Sequence, residues 1–195
     1  MTTFLKLKHW QLFGLLIGIP LVFQSVTIGS MMSSNGFTDS FLLFPIMMIL
    51  FVTLFFSWFY AIGTNLHKKL PPTVNMKLGR FKLFLFIPVA YMLLISIYMV
   101  SIYSRDLTAG VQPGLGIAAL IVPLHLFSMF CIFYCLHFVA KELKAVEWQR
   151  PVTFSDFAGE FFLIWFFPLG VWNIQPRINK LFNTSSENSE TINTN

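Results

Sequence analysis

The feature that most constrains the fold is a basic loop between two long apolar runs, residues 67 to 82, with the sequence HKKLPPTVNMKLGRFK. It carries five of the chain's thirteen Lys and Arg residues and no Asp or Glu. Positive charge that flanks apolar segments in this way is retained on the cytoplasmic side of a membrane. Pro71 and Pro72 exclude one continuous helix through the loop. The two apolar runs are therefore predicted to be separate helices that enter a membrane in opposite directions.

The composition supports the same interpretation. Apolar residues make up 56% of the 195 residues and charged residues only 11%, whereas a soluble domain has about 25% charged residues. A soluble fold of this size would lack the charge to cover its surface. The net charge of +5 does not indicate nucleic-acid binding, because the basic residues flank apolar runs and act as topology signals. An integral membrane protein is predicted, with the lipid bilayer as a partner and no nucleic acid.

The apolar runs predict an all-α fold, a polytopic bundle of membrane helices in a single domain over residues 1 to 182. The second run, residues 41 to 63, would form a helix of about 34 Å, which is enough to cross a bilayer. The four predicted spans are residues 12–32, 41–63, 83–104 and 115–139. The polar, low-complexity tail, residues 183 to 195, is predicted to be disordered.

A fifth apolar segment, residues 154 to 175, is ambiguous. Thr153 and Asp156 have the spacing of a capping box that opens a helix, and Pro168 with Gly170 predicts a kink. The segment is therefore a re-entrant, interfacial or spanning helix. With four spans, twelve of the thirteen Lys and Arg residues lie on the side of the basic loop; with five spans, ten do. The charge distribution favours four spans in the cell (inner or plasma) membrane, with both termini cytoplasmic.

Two ionisable residues in apolar segments are candidates for a ligand or ion pathway, because burying such groups in a membrane is costly. His125 follows Pro123 in the fourth span, and Glu160 lies near the start of the fifth segment. Each also has a structural interpretation. His125 would be a neutral histidine bonded to a neighbouring helix, and Glu160 an interfacial carboxylate near a helix N-terminus.

Three further histidines, His9, His67 and His137, fall near the predicted cytoplasmic ends of the first, second and fourth spans. Imidazoles at one depth could ligate a metal or a haem, which makes them weak cofactor-binding candidates. No local spacing links the three, and interfacial histidines are ordinary in membrane proteins. We therefore expect neither a metal nor a cofactor.

The sequence contains no HExxH, GxSxG, CxxC or P-loop motif, so no catalytic residue is predicted and the chain is expected not to be an enzyme. Gly14 and Gly18 form a GxxxG motif, which permits close helix packing. The leading hypothesis is a non-enzymatic accessory or scaffold subunit, whose partner is a second copy or another membrane protein. The alternative is a transporter or ligand-binding protein, which requires His125 and Glu160 to face a common cavity.

Overall fold

A computed structural model describes residues 3–32, 36–109 and 115–193, with side chains described for residues 4–29, 32, 45–101 and 119–182. The remaining residues of the predicted domain and tail (1–2, 33–35, 110–114 and 194–195) lie outside that description. All described elements are helices, with a π-helical turn, Gly14–Gly18, between the second and third. In chain order they are α1 (Thr3–Lys6), α2 (His9–Phe13), α3 (Ile19–Met31), α4 (Gly36–His67), α5 (Leu78–Ala109), α6 (Leu115–Trp148), α7 (Phe154–Trp165) and α8 (Phe167–Asn193).

Four helical stretches are long and apolar enough to cross a membrane: His9–Gly29, Pro45–His67, Leu78–Ser101 and Ala119–Trp148. They overlap the four predicted spans with shifts of three to five residues at their ends, except that the last stretch extends nine residues beyond the predicted end, to Trp148. The prediction of an all-helical bundle with four candidate spans is confirmed, and it indicates a membrane protein. The first stretch, His9–Gly29, includes the π-helical turn and is called the first membrane helix below.

The best-packed part of the bundle lies at the end that carries the basic loop, called the basic end below. Here Trp58 and Phe59 of α4, Phe81 of α5 and Leu143 of α6 are all fully buried. Gly63 of α4 allows α5 to come close, because a Cβ atom at this position would lie 2.6 Å from the Phe81 ring. Close helix contact through a small residue is a common packing mode in membranes.

The ambiguous segment forms a helical hairpin. The predicted capping box is confirmed, since the Thr153 N–H donates to Asp156 Oδ2 at 2.8 Å and the Thr153 side chain accepts from the Asp156 backbone N–H. Helix α7 ends at Trp165, and Phe166 leaves helical geometry with φ −78° and ψ 58°. Gly170 then presses α8 against α7, because a Cβ atom there would lie 2.0 Å from the backbone oxygen of Leu163. The chain therefore reverses at Phe166, and the close contact between the two helices just after the reversal leaves no room for a side chain at Gly170.

Contacts on both sides place the hairpin beside the bundle. At its tip, the Phe167 ring lies 5.0 Å from that of Phe55 on α4, and the Trp165 ring lies 5.2 Å from that of Phe133 on α6. After the tip, α8 returns to the basic end, where Lys69 Nζ donates to the Leu181 carbonyl at 2.5 Å. The hairpin therefore begins and ends at the same end of the bundle.

Two features differ from expectations drawn from the sequence. The tail predicted to be disordered is helical to Asn193 as a continuation of α8, which is possible because a helix satisfies its backbone hydrogen bonds internally. At the charged end of α6, the sequence spacing predicts ion pairs within the helix, between Lys144 and Glu147 and between Glu147 and Arg150. This pattern predicts a solvent-exposed extension of the helix beyond the membrane. The end of α6 instead packs against α7, and its Lys144 and Glu147 pair with Glu160 of α7 and Arg177 of α8.

Candidate functional site

Four charged side chains meet where α6, α7 and α8 converge at the basic end. Glu160 Oε1 of α7 accepts from Lys144 Nζ at 2.9 Å and from Arg177 Nη2 at 2.8 Å. Arg177 also donates from Nε to Glu147 Oε1 at 2.7 Å and from Nη2 to Glu147 Oε2. Two cations thus balance two carboxylates. We call Lys144, Glu147, Glu160 and Arg177 the ionic cluster.

The ionic cluster is largely removed from solvent, which strengthens its internal attractions. Glu160 is 6% exposed. Burial alone would raise the pKa of Glu160, but hydrogen bonds from Lys144 and Arg177 outweigh it and hold the pKa below its ordinary value. The hydrogen bonds from Arg177 to Glu147 raise the pKa of Arg177. Glu160 is therefore ionised and Arg177 protonated at neutral pH, so the contact between α7 and α8 is a charge-assisted one.

Local sequence explains how Glu160 reaches this position. The capping box fixes the start of α7, and the buried positions Phe157, Glu160 and Ile164 share one face of the helix. This spacing of three and four residues turns one side of a helix toward its neighbours. Glu160 therefore lies on the buried face of α7. The structural interpretation from the sequence was a carboxylate at the membrane interface. Its partners, 16 and 17 residues away, were not predicted.

Gln175 on α8 is a second polar junction and is fully buried. Its Oε1 accepts from the indole Nε1 of Trp58 on α4 at 3.1 Å. Its Nε2 donates to the carbonyl oxygens of Phe4 at 2.8 Å and Leu7 at 3.1 Å, and contacts Asn179 Oδ1 at 3.1 Å. The amide of Gln175 therefore connects α4 and α8 with residues 4 to 7, which we call the N-terminal segment. Trp58 lies near the end of the predicted span 41–63, a position that is typical of an aromatic residue at the membrane interface. In the structure its side chain is only 1% exposed.

A third contact joins α4 and α6. His67 Nδ1 lies 2.8 Å from Oε1 of Glu142, a residue that is fully buried. Among the residues whose side chains are described, none hydrogen-bonds the other carboxyl oxygen, Oε2. Sequence reasoning singled out His67 but missed Glu142. The sequence did hold a signal for Glu142. Its spacing of three and four residues from Val139 and Val146, which are buried, puts it on the apolar face of α6.

The three histidines that were weak cofactor candidates lie in different contacts. The His9 ring packs 4.8 Å from Trp172, His67 binds Glu142, and His137 packs 5.0 Å from Phe157. Over the described part of the chain, no group of three or more His, Cys, Asp or Glu side chains is arranged to hold a metal ion. The structure does not bring these histidines together.

The structure also keeps His125 apart from Glu160. His125 Nδ1 lies 3.2 Å from the hydroxyl of Tyr91 on α5, which matches the interpretation of a histidine bonded to a neighbouring helix. Glu160 is bound to Lys144 on α6, and the nineteen residues from His125 to Lys144 span about 28 Å of helix. His125 and Glu160 therefore lie at different levels and share no common cavity.

The GxxxG motif lies on an open face of the first membrane helix. A Cβ atom built on Gly14 or Gly18 meets no described atom within 4 Å apart from its chain neighbours and the adjoining backbone of its own helix. The two glycines line an apolar groove of about 390 Å³ together with Val22 and Val26. The motif therefore packs no described helix of its own chain. We call the surface lined by Gly14, Gly18, Val22 and Val26 the glycine groove.

No protein-family model matches the chain, and comparisons with curated proteins and with solved structures find no match either. The function must be argued from the molecule itself. The charged and amide groups at the basic end mainly bind one another and join helices, while the glycine groove is open.

Proposed function

We propose that this chain is a non-enzymatic accessory or scaffold subunit of the membrane, and that it binds a transmembrane helix of a partner protein through the glycine groove. The observation that carries the proposal is the open space over Gly14 and Gly18, where no other helix of the described chain comes within 4 Å of a built Cβ. Packing through small residues drives helix association in lipid, because burial of apolar surface gives no gain there.

The weak packing of the first membrane helix within its own chain supports this role. Only 17% of its apolar window is buried, against 39% for the window in α4. Along the groove, Val22 is 66% exposed and Val26 is 60% exposed. The partner is a second copy of this chain or another membrane protein.

The non-enzymatic part of the proposal is supported by how the polar groups are used. In the ionic cluster each carboxylate is bound by a cation of another helix. Gln175 ties three segments together. These groups stabilise the positions of helices, a role that a scaffold requires. The alternative of a transporter through His125 and Glu160 has no comparable support, since the two lie at different levels.

We further propose that the basic end is cytoplasmic, that the membrane is the plasma (inner) membrane, and that the hairpin of α7 and α8 is re-entrant. The positive charge of the loop supports the orientation. The tip residue Phe167 packs against Phe55, near the middle of the apolar stretch Pro45–His67, which supports entry to about half the membrane depth. Both terminal segments bind at the basic end, through Phe4 and Leu181.

The test is association in lipid. The tagged full-length chain, extracted with its native lipids into nanodiscs, is expected to carry a second copy or another membrane protein by native mass spectrometry. Substitution of Gly14 and Gly18 by Leu fills the groove and is expected to reduce that association at least about tenfold, or roughly 1.4 kcal/mol, within the range for helix contacts in membranes. Gly29→Leu is the matched control, because Gly29 is also open but does not line the groove.

Two outcomes would overturn the proposal. One is a wild-type protein that is monomeric and carries no other protein in nanodiscs. The other is an association that the Gly14 and Gly18 substitutions and the Gly29 control change equally.

A further inference from the structure

A lateral groove between α4 and α5 combines an apolar lining with one cation. It encloses about 510 Å³ and includes Val52, Phe56 and Tyr60 of α4, with Lys82, Leu85 and Val89 of α5. Lys82 is the only charged residue of its lining. We call it the lysine groove. It lies between helices other than those that form the glycine groove.

Lys82 lies at the depth expected for lipid headgroups. It is the last basic residue before the uncharged run from Leu83 to Ser104, after which Arg105 follows. That run of 22 residues spans about 33 Å of helix, close to the roughly 30 Å of a bilayer's hydrocarbon core. The charge of Lys82 is therefore at the membrane boundary while the rest of the groove lies beside acyl chains.

The polar groups at this end of the groove are donors. Lys82 is exposed, and its Nζ lies 5.6 Å from the centre of the Tyr60 ring, whose hydroxyl is a second potential donor. In the part of the chain with described side chains, Lys82 forms no ion pair with an acid. The basic loop, which ends at Lys82, has four further basic residues and no acidic one. This end of the groove is thus complementary to an anion.

We propose that the lysine groove is a binding site for an anionic phospholipid, with one acyl chain between α4 and α5 and the headgroup phosphate bound by Lys82 and Tyr60. An acyl chain alone gains little by moving from bilayer to groove, since both are apolar. Selectivity therefore comes from the net negative charge of the whole headgroup, for which one Lys near an anionic surface contributes about 1 kcal/mol, or roughly fivefold in affinity. A transmembrane helix of a partner would not explain a single cation at the headgroup end.

The test compares lipid retention by the full chain. After reconstitution in equal amounts of phosphatidylglycerol and phosphatidylcholine, native mass spectrometry is expected to show phosphatidylglycerol retained about fivefold more than phosphatidylcholine. Lys82→Gln should abolish this preference, and Lys82→Arg should preserve it. Lys77→Gln is the matched control, because Lys77 is exposed in the same basic loop but does not line the groove.

Two groove-filling variants test the acyl-chain part of the site. Val89 of α5 and Ser57 of α4 both line the groove. Val89→Trp and Ser57→Phe are each expected to lower phosphatidylglycerol retention, and thermal unfolding identifies a variant that does not fold. Glycerophosphoglycerol, the phosphodiester headgroup without acyl chains, is expected not to compete. Three results would overturn the proposal: no preference in the wild type, equal losses in the Lys77 and Lys82 variants, or full retention when the groove is filled in a folded variant.

Discussion

The basic end and the first membrane helix are held in the molecule in opposite ways. At the basic end, ion pairs and amide hydrogen bonds join α4, α6, α7, α8 and the N-terminal segment. The first membrane helix beyond Leu16 has mostly exposed apolar side chains. In a bilayer, apolar contact with protein replaces apolar contact with lipid, so specific polar contacts and close packing determine which helices are fixed. Substitutions should therefore have large effects at the basic end and small ones on the first membrane helix.

The largest effect is expected for Gly170→Ala, where α7 and α8 touch. The new Cβ would lie 2.0 Å from the backbone oxygen of Leu163, and backbone cannot rotate away as a side chain can. We expect the free energy of unfolding to fall by about 3 kcal/mol or more, measured by SDS titration in mixed micelles. Gly159→Ala is the control, since a Cβ at Gly159 meets nothing within 4 Å. Equal stability of the two variants would contradict the hairpin contact.

Arg177→Ala is expected to rank next. It leaves Glu147 without its cation and Glu160 with only Lys144. Removing one partner of a fully buried pair costs about 3–5 kcal/mol. Because the Arg177 side chain is 31% exposed, solvent screening lowers the expected loss to about 2–3 kcal/mol. Arg80→Ala, at an exposed position on α5, should change the same SDS titration little. A loss no larger than that of the control would show that the ionic cluster does not stabilise the fold.

Gln175→Leu should cost about 2 kcal/mol, because it leaves the Trp58 indole N–H and the Phe4 carbonyl without the Gln175 amide. The Leu7 carbonyl loses one of its two donors and keeps the bond from Asn179 Nδ2. The substitution should also release the N-terminal segment, which limited proteolysis followed by N-terminal sequencing would detect. Asn173→Ala, at an exposed position of the same helix, is the control. A variant of normal stability whose N-terminal segment stays protected would contradict the role of the junction.

A smaller effect is expected from pH. The pKa of Glu160 is lower in the folded chain than its ordinary value of 4.5, so ionised Glu160 stabilises the fold above about pH 4.5. That contribution is lost as the pH falls through the folded-state pKa. The thermal midpoint should therefore fall between pH 6 and pH 3 by more in the wild type than in Glu160→Gln. Parallel curves for the two proteins would show that Glu160 does not contribute to the acid sensitivity.

The smallest effect is expected for Leu21→Ala on the first membrane helix. Leu21 is 60% exposed and does not line the glycine groove. The free energy of unfolding of the alanine variant should therefore lie within about 0.5 kcal/mol of the wild-type value. Leu143→Ala provides the contrast, because Leu143 is fully buried and its truncation should cost about 2–5 kcal/mol. Similar losses for both would break the comparison between the two regions.

Much of the architecture could be predicted because it depends on local pattern. Run lengths gave the four candidate spans, since a bilayer fixes how many apolar residues a helix needs. The capping box gave the start of α7 to the residue. The positive charges favoured four spans by a margin of only two residues, and the hairpin's return to the basic end agrees with that choice.

The contacts of the polar residues could not be predicted in the same way. Lys144 and Glu147 have the spacing of a local ion pair, but their partners are Glu160 and Arg177 on other helices. Trp58 and Gln175 are 117 residues apart. A single sequence gives each helix a polar or apolar face but not the neighbour that the face meets.

The sequence by itself determined the four candidate membrane helices, the break between α4 and α5 and the start of α7, because hydrophobic length, proline and capping each act within a short stretch of chain. Only the tertiary structure decided that Glu160 is an internal ion-pair partner, that His125 lies far from it, and that the GxxxG face is open. Those outcomes depend on how the helices pack. Packing brings together residues that are far apart in the chain, and a single sequence does not indicate which distant residues are in contact.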